Sequence, residues 1–160
     1  MFPRNRKELA HKKRKQLMRE IEEKIGKLEK EEINSIIGHK SEQYYLGKEG
    51  RILVFVLQER LFPSLWFLRA LGVTDLIIPT ISVDKGATPH LLNGADLFVG
   101  GITKFDPFEP DDVVIVLNPS NFPICVGIAL VSSDELGTIK KGKVLKNYHW
   151  IGDKIWNFKY

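Results

Sequence analysis

Prolines at positions 107, 110, 119 and 123 cut the second half of the chain into pieces too short for any long helix or strand. Around them stand compact apolar runs: 81–83, 96–99, 113–117, 124–131, and one or two more within 144–158. One short helix interrupts the series, predicted to begin near Asp84 and to close at Asn93-Gly94. Asp84 suits its N-cap, where the carboxylate accepts from free backbone N–H groups. Pro89 falls in the first turn, where its missing N–H costs least. Many short strands and one helix predict a small barrel or sandwich rather than a parallel sheet.

Upstream of Leu76 the pattern differs. Leu17, Ile21, Ile25 and Leu28 recur at helical spacing, with charged residues between them. Ile33, Ile36 and Ile37 predict a second short helical turn, ended by Gly38. The runs 43–46 and 51–57 flank Gly47-Lys48-Glu49-Gly50 and read as a hairpin whose second strand is covered on both faces. Pro63 then opens a short helix carrying Leu65, Leu68 and Leu71 and stopped by Gly72. The chain is therefore expected to be α+β: an α/β domain over residues 1–77, then a pseudo-barrel of short mixed strands over 78–160.

Charge is distributed unevenly. Residues 1–30 carry eleven Lys and Arg against five acids, whereas the remaining 130 carry thirteen bases and fifteen acids. A +6 end on a nearly neutral body points to a polyanion met at one end, or to a solubilising terminus. The apolar runs fall far short of the roughly 20 residues that span a bilayer, and no signal peptide is visible, so a cytoplasmic protein without membrane contact is expected.

Catalytic and metal chemistry find little support. Cys125, the sole cysteine, sits in the apolar run Ile124-Cys125-Val126 and reads as an inert core thiol. His11, His39, His90 and His149 have no metal-ligand spacing, so no metal and no cofactor are expected. Asp106, Glu109, Asp111 and Asp112 lie in a proline-broken loop without a histidine or nucleophile beside them. Ser132-Ser133-Asp134-Glu135 reads as a helix start with serine capping. No P-loop, G-x-G-x-x-G, H-E-x-x-H or G-x-S-x-G appears, and Asp75, the only aspartate before Leu76, has no catalytic setting. The chain is not expected to be an enzyme.

The stretch Val83-Asp84-Lys85-Gly86-Ala87, the run from Leu91 to Leu97, Gly100-Gly101-Ile102 and Cys125-Val126-Gly127 together resemble a PUA domain. PUA domains are RNA-binding modules also found in pseudouridine synthases and archaeosine transglycosylases. Leu61-Phe62-Pro63-Ser64-Leu65, Ile78-Pro79 and the ending from Asn147 to Trp156 are similar to the malignant T-cell-amplified sequence family, which joins a pre-PUA domain to a PUA domain. On that plan residues 1–77 are the pre-PUA part. The basicity of the first 40 residues departs from the family's eukaryotic members and points to an archaeal-type relative. The resemblance implies translation as the setting, the small ribosomal subunit and its tRNA as partners, and a translation-factor protein docked on the pre-PUA domain.

The resemblance also implies an RNA site along the short helix, the glycine loop after it and a late strand. Lys85, Gly86 and Ala87 at the helix entrance combine a cation, a helix N-terminus suited to phosphate and little steric bulk. Gly86 and Gly94 each have a second reading, a tight turn without a ligand, preferred for Gly94. His90 is a base-contacting or packing residue; Gly100, Gly101, Ile102 and Lys104 form the loop; Lys143 and Lys146 face phosphate. Tyr148 and Trp150 share a strand face. Two other functions stay open. One is a protein-interaction adaptor, with Phe62, Leu65 and Trp66 as candidates for an apolar patch although core packing is the preferred reading for most of them; the other is a stand-alone targeting subunit for an RNA-modifying enzyme.

Overall fold

Alternation decides the first sheet. In the computed structural model, which describes residues 2, 5–27, 33–39, 41–71 and 76–160, Ile33, Ser35 and Ile37 are buried while Asn34 and Ile36 are half exposed. That period of two makes Ile33–His39 a strand, not the helical turn its isoleucines predict. Ile33 and Ile37 are four apart, an even spacing that serves a strand face as well as a helix face. The residue between them is a buried serine, whose hydroxyl accepts from Arg6 Nε at 3.1 Å and donates to Asn34 at 3.0 Å.

The chain packs as two compact units, Met1–Ile77 with Lys154–Tyr160, and Ile78–Asp153. The first holds an antiparallel sheet in the order β1 (Lys7–Glu8), β2 (Ile33–His39), β3 (Glu42–Gly47), β4 (Ile52–Leu57), β5 (Arg60–Pro63). The predicted hairpin is present as β3 and β4, with Tyr45 opposite Val54. Ile52, Leu53, Val54 and Phe55 are all buried, as a strand covered on both faces requires. Gln58 and Glu59 join β4 to β5 with φ of 51° and 63°, the two left-handed residues of a two-residue hairpin turn. Pro63 therefore closes an edge strand instead of opening a helix. Helix α2 (Leu65–Leu71) is started by Ser64, whose hydroxyl accepts the Phe67 N–H at 3.2 Å.

Helix α1 (His11–Lys24) buries Leu17 and Ile21, and Ile25 follows inside. Each such side chain stabilises by about 1.5–3 kcal/mol. Leu28, Gly72, Asp75 and the side chain of Leu71 lie outside the described residues. Phe62 and Leu65 are fully buried, and Trp66 stacks on Trp156 at 4.0 Å. Core packing, the fate preferred for most of these residues on sequence, holds for Phe62 and Leu65, while Trp66 is half-buried. Trp66 also donates its indole N–H to the Trp156 carbonyl at 2.9 Å, and the Tyr160 N–H reaches Gly50 O at 3.0 Å. Helix α4 (Lys154–Asn157) and the residues after it, counted with the second domain on sequence, thus pack with the first unit.

The second unit is a mixed six-stranded sheet in the order β7 (Leu97–Phe98), β11 (Lys143–Trp150), β10 (Pro123–Ala129), β9 (Val113–Leu117), β6 (Thr80–Val83), β8 (Ile102–Phe105). Only β6 and β9 pair in parallel. The one strand of this unit that the sequence conceals is β8: Thr103, Lys104 and Phe105 are all exposed, and it shows no apolar alternation. Ile81, Val83, Leu91, Leu97, Phe108, Val116, Cys125 and Leu145 belong to one core. Burial pushes the Cys125 thiol far above its usual range, which makes it inert. Asp106 accepts from the Thr80 N–H and hydroxyl and ties the end of β8 to the start of β6, while Asp112 accepts the Glu109 N–H and closes a turn. Ser133, in a short turn of helix at Ser133–Gly137, does not cap it. Its hydroxyl accepts the Phe108 N–H at 3.0 Å.

Candidate nucleic-acid interface

Helix α3 (Thr88–Leu91) is a single turn, and Asp84 organises its entrance. The Asp84 carboxylate accepts the Ala87 N–H at 2.8 Å, its carbonyl accepts the Thr88 hydroxyl at 3.0 Å, and its own N–H donates to Gly101 O at 2.9 Å. One aspartate so fixes both the helix start and the glycine loop. The helix begins later than the sequence predicts: its N-cap is Ala87, without a side-chain bond, and Asp84 instead closes the turn of residues 84–87 that leads into it. The aspartate also places a negative charge where a phosphate was expected, and one turn of helix has little dipole to offset it. Of the N–H groups expected to face a phosphate at this end, that of Ala87 is taken by the Asp84 carboxylate.

A groove of about 450 Å³ opens beside α3. Asp84, Gly86, Ala87, His90 and Leu91 form one wall; Ala95, Asp96, Leu97 and Phe98 another; Gly100 and Gly101 the third. Five residues expected from the sequence, Gly86, Ala87, His90, Gly100 and Gly101, thus meet around one space. The two loop glycines differ. A Cβ on Gly100 would meet nothing within 4 Å, whereas one on Gly101 would sit 2.6 Å from the Ala87 Cβ. Gly101 is needed for the wall to close on Ala87, and Gly100 leaves the mouth open. Gly94, with φ of 87°, ends the helix, and a Cβ there would strike the Trp150 ring at 2.7 Å. That is the structural reading preferred for Gly94, and it places Trp150 in packing.

Lys85 is exposed next to the groove without lining it. Lys104 is exposed on β8 opposite Ser82 and lies outside the lining, and Ile102 packs against the core opposite Val83. Lys146 is exposed, with its ammonium 5.3 Å from the Tyr148 ring centroid. Lys143 reaches the groove through Asp96, whose carboxylate it meets at 3.1 Å, and lies 6.0 Å from the Phe98 ring centroid.

Asp96, Phe98 and Asn147 were not anticipated as site residues. Asn147 is buried on β11; its side-chain amide donates to the carbonyls of Leu91 and Ala95 at 3.1 Å each, and its backbone N–H to Asp96 at 3.0 Å. It clamps the loop from α3 to β7. Its partners are more than fifty positions away in sequence, so no local spacing could reveal it. Phe98 stands 51% exposed on the groove wall beside the buried Leu97. An aromatic two positions before the Gly100-Gly101 pair is the signal that would have found it. Burial pushes the Asp96 carboxyl up, but the Asn147 N–H, the Lys143 contact and charge and the Lys146 charge outweigh it and hold it below its usual range. The groove therefore contains a permanent carboxylate at neutral pH.

Known proteins of the same build supply the family. The PUA domain family matches residues 79–151. An uncharacterised protein of Methanocaldococcus jannaschii is 41% identical over 110 residues, which is 67% of this chain and 65% of the relative; the match so spans just under two thirds of that relative's length. Translation machinery-associated protein 20 of Eremothecium gossypii is 31% identical over 74% of this chain and 67% of its own length. The solved structure of a conserved PUA domain protein from Thermoplasma acidophilum superposes with a TM-score of 0.79 at 27% identity, covering 94% of this chain and 97% of that one. The chain is an α+β PUA-domain protein and belongs to the family that includes the malignant T-cell-amplified sequence proteins and translation machinery-associated protein 20.

Proposed function

We propose that this protein is a non-catalytic RNA-binding protein of the translation machinery, and that it holds RNA at the groove beside α3. The carrying observation is the groove itself, where helix and glycine-loop residues read from the sequence converge and exposed lysines stand at the margin. The chemistry of the lining says which part of an RNA would enter. Two carboxylates, Asp84 and Asp96, repel phosphate, while the apolar wall of Leu97 and Phe98 and the bare Gly100 suit a flat uncharged ring. An unpaired base bearing N–H donors, or a ribose hydroxyl, fits inside. Phosphates fall to Lys85, Lys143 and Lys146 outside it.

The translation setting follows the names of the relatives, among them translation machinery-associated protein 20 of Saccharomyces cerevisiae. The adaptor alternative loses the patch that motivated it, since Phe62 and Leu65 are buried. Binding of tRNA and of small-subunit ribosomal RNA, measured by filter retention at several salt concentrations, tests the reading. The combined reversal Lys85→Glu, Lys143→Glu and Lys146→Glu should weaken binding at least about tenfold while leaving the circular dichroism spectrum intact. Unchanged affinity in that folded variant defeats it.

A further inference from the structure

Helix α1 carries its charges in the order that least favours a helix. Its first five residues are His11, Lys12, Lys13, Arg14 and Lys15, with Ala10 as an N-cap that makes no side-chain bond and no acid in the first turn. Its acids, Glu20, Glu22 and Glu23, come in the second half. Backbone dipoles make the start of a helix positive and the end negative, so bases at the start and acids near the end both oppose them. Packing of Leu17, Ile21 and Ile25 holds the helix in spite of this arrangement. Lys24, in the last turn and paired with Glu20, obeys the local rules; the run of bases in the first half breaks them, and such a break marks a surface kept for something other than stability.

The broken rules resolve into a stripe. Lys12, Lys15 and Arg19 stand three and four residues apart, on the face opposite Leu17 and Ile21, and all three are exposed. Like charges at these spacings repel. Among the described residues none of the three has an ion pair or hydrogen bond, whereas Lys24 farther along is paired with Glu20 at 3.1 Å. At 1.5 Å rise per residue the stripe extends over roughly 10 Å. The apolar face of α1 is buried in the first unit, so the helix has nothing to insert into a lipid layer, and the exposed face offers only cations.

We infer that Lys12, Lys15 and Arg19 form a second RNA contact, a phosphate-binding stripe on the first unit, separate from the groove of the second. The identity of the polyanion rests on the proposed RNA-binding function; the stripe's charge and exposure do not. The groove then selects by fit, and the stripe supplies affinity that is insensitive to base sequence and sensitive to salt.

The test titrates a tRNA transcript by fluorescence anisotropy at several potassium chloride concentrations. It compares the full chain, the variant Lys12→Gln, Lys15→Gln and Arg19→Gln, and a groove variant, Gly100→Trp, at a position open to solvent. The stripe variant should lose about tenfold or more in affinity near 0.1 M salt. The slope of log K against log salt should become shallower by about 2–3, since each released phosphate contact contributes about 0.9. Its melting temperature should hold or rise because repulsion has been removed, a combination that damage to the fold does not produce. Gly100→Trp should lower affinity with the slope unchanged. A stripe variant with wild-type affinity and slope overturns the inference and leaves the groove reading standing if Gly100→Trp still loses affinity. Loss in the stripe variant alone sustains the inference and sinks the groove. Stripe-dependent binding to phosphatidylserine vesicles, with RNA affinity and slope untouched, assigns the surface to lipid and also overturns it.

Discussion

Asp96 and Lys143 meet at 3.1 Å on the rim of the groove, and the same carboxylate takes the Asn147 N–H at 3.0 Å. An exposed lysine is thereby tied to the loop that forms one wall. Because the carboxyl is held below its usual range in the folded protein, its stabilising contribution is complete above the unfolded value near 3.8 and disappears as pH falls through the folded value. Asp96→Ala should cost about 1.5–3 kcal/mol in urea unfolding at pH 7, the range for hydrogen bonds to a charged group. The difference between variant and wild type should shrink as pH falls below the unfolded value near 3.8 and through the lower folded one. A pH-independent difference contradicts the assignment.

Asn147 should matter to the site more than its burial would indicate. Replacing it with Ala frees the carbonyls of Leu91 and Ala95 and opens a small void, a loss of about 2–3 kcal/mol. Hydrogen exchange should speed up in residues 91–98 ahead of the rest of the second unit, and RNA affinity should fall with it. Uniform exchange across the unit would deny the clamp.

The two loop glycines should respond in opposite ways. Gly101→Ala forces its new methyl against Ala87 and should cost about 1–3 kcal/mol, the usual penalty for overpacking. Gly100→Ala meets no atom within 4 Å and should leave the melting temperature within a degree or two. Equal destabilisation by both, in thermal scans under one buffer, contradicts the geometry.

In the first unit, Trp66 and Trp156 are coupled by ring stacking and by the indole N–H bond. Either Trp→Ala substitution should cost about 3 kcal/mol. The double variant should lose less than the sum, leaving a coupling of about 0.5–1.5 kcal/mol in a double-mutant cycle. Strict additivity would show the stack to be incidental.

What the chain discloses locally and what it hides follow from physical range. The hairpin of β3 and β4 and the Gly94 turn after α3 are governed by neighbours within a few residues, and the sequence displays them. The strand β2 was misread because four-residue spacing is ambiguous, and β5 was missed because Gln58-Glu59 lacks the glycine or asparagine that usually marks such a turn. At the groove, glycines and a short helix were visible from their order along the chain. Asp96 and Asn147 were not, because their roles arise only when β11 is laid beside the loop before β7. The cations divide in the same way. Lys143 joins the rim through a carboxylate 47 positions away, while Lys104, closer in sequence, lies outside the lining.

The return of Lys154–Tyr160 to the first unit makes that unit discontinuous along the polypeptide, with the whole second unit interrupting it. Severing the chain once, at the 77–78 junction, therefore does not yield two intact halves. The first fragment lacks Trp156 and the aromatic residues after it, and the second carries them as an orphaned tail. Obtaining the first half alone would take a splice of residue 77 to residue 154, whereas the unit that holds the groove can be excised as the single segment 78–153.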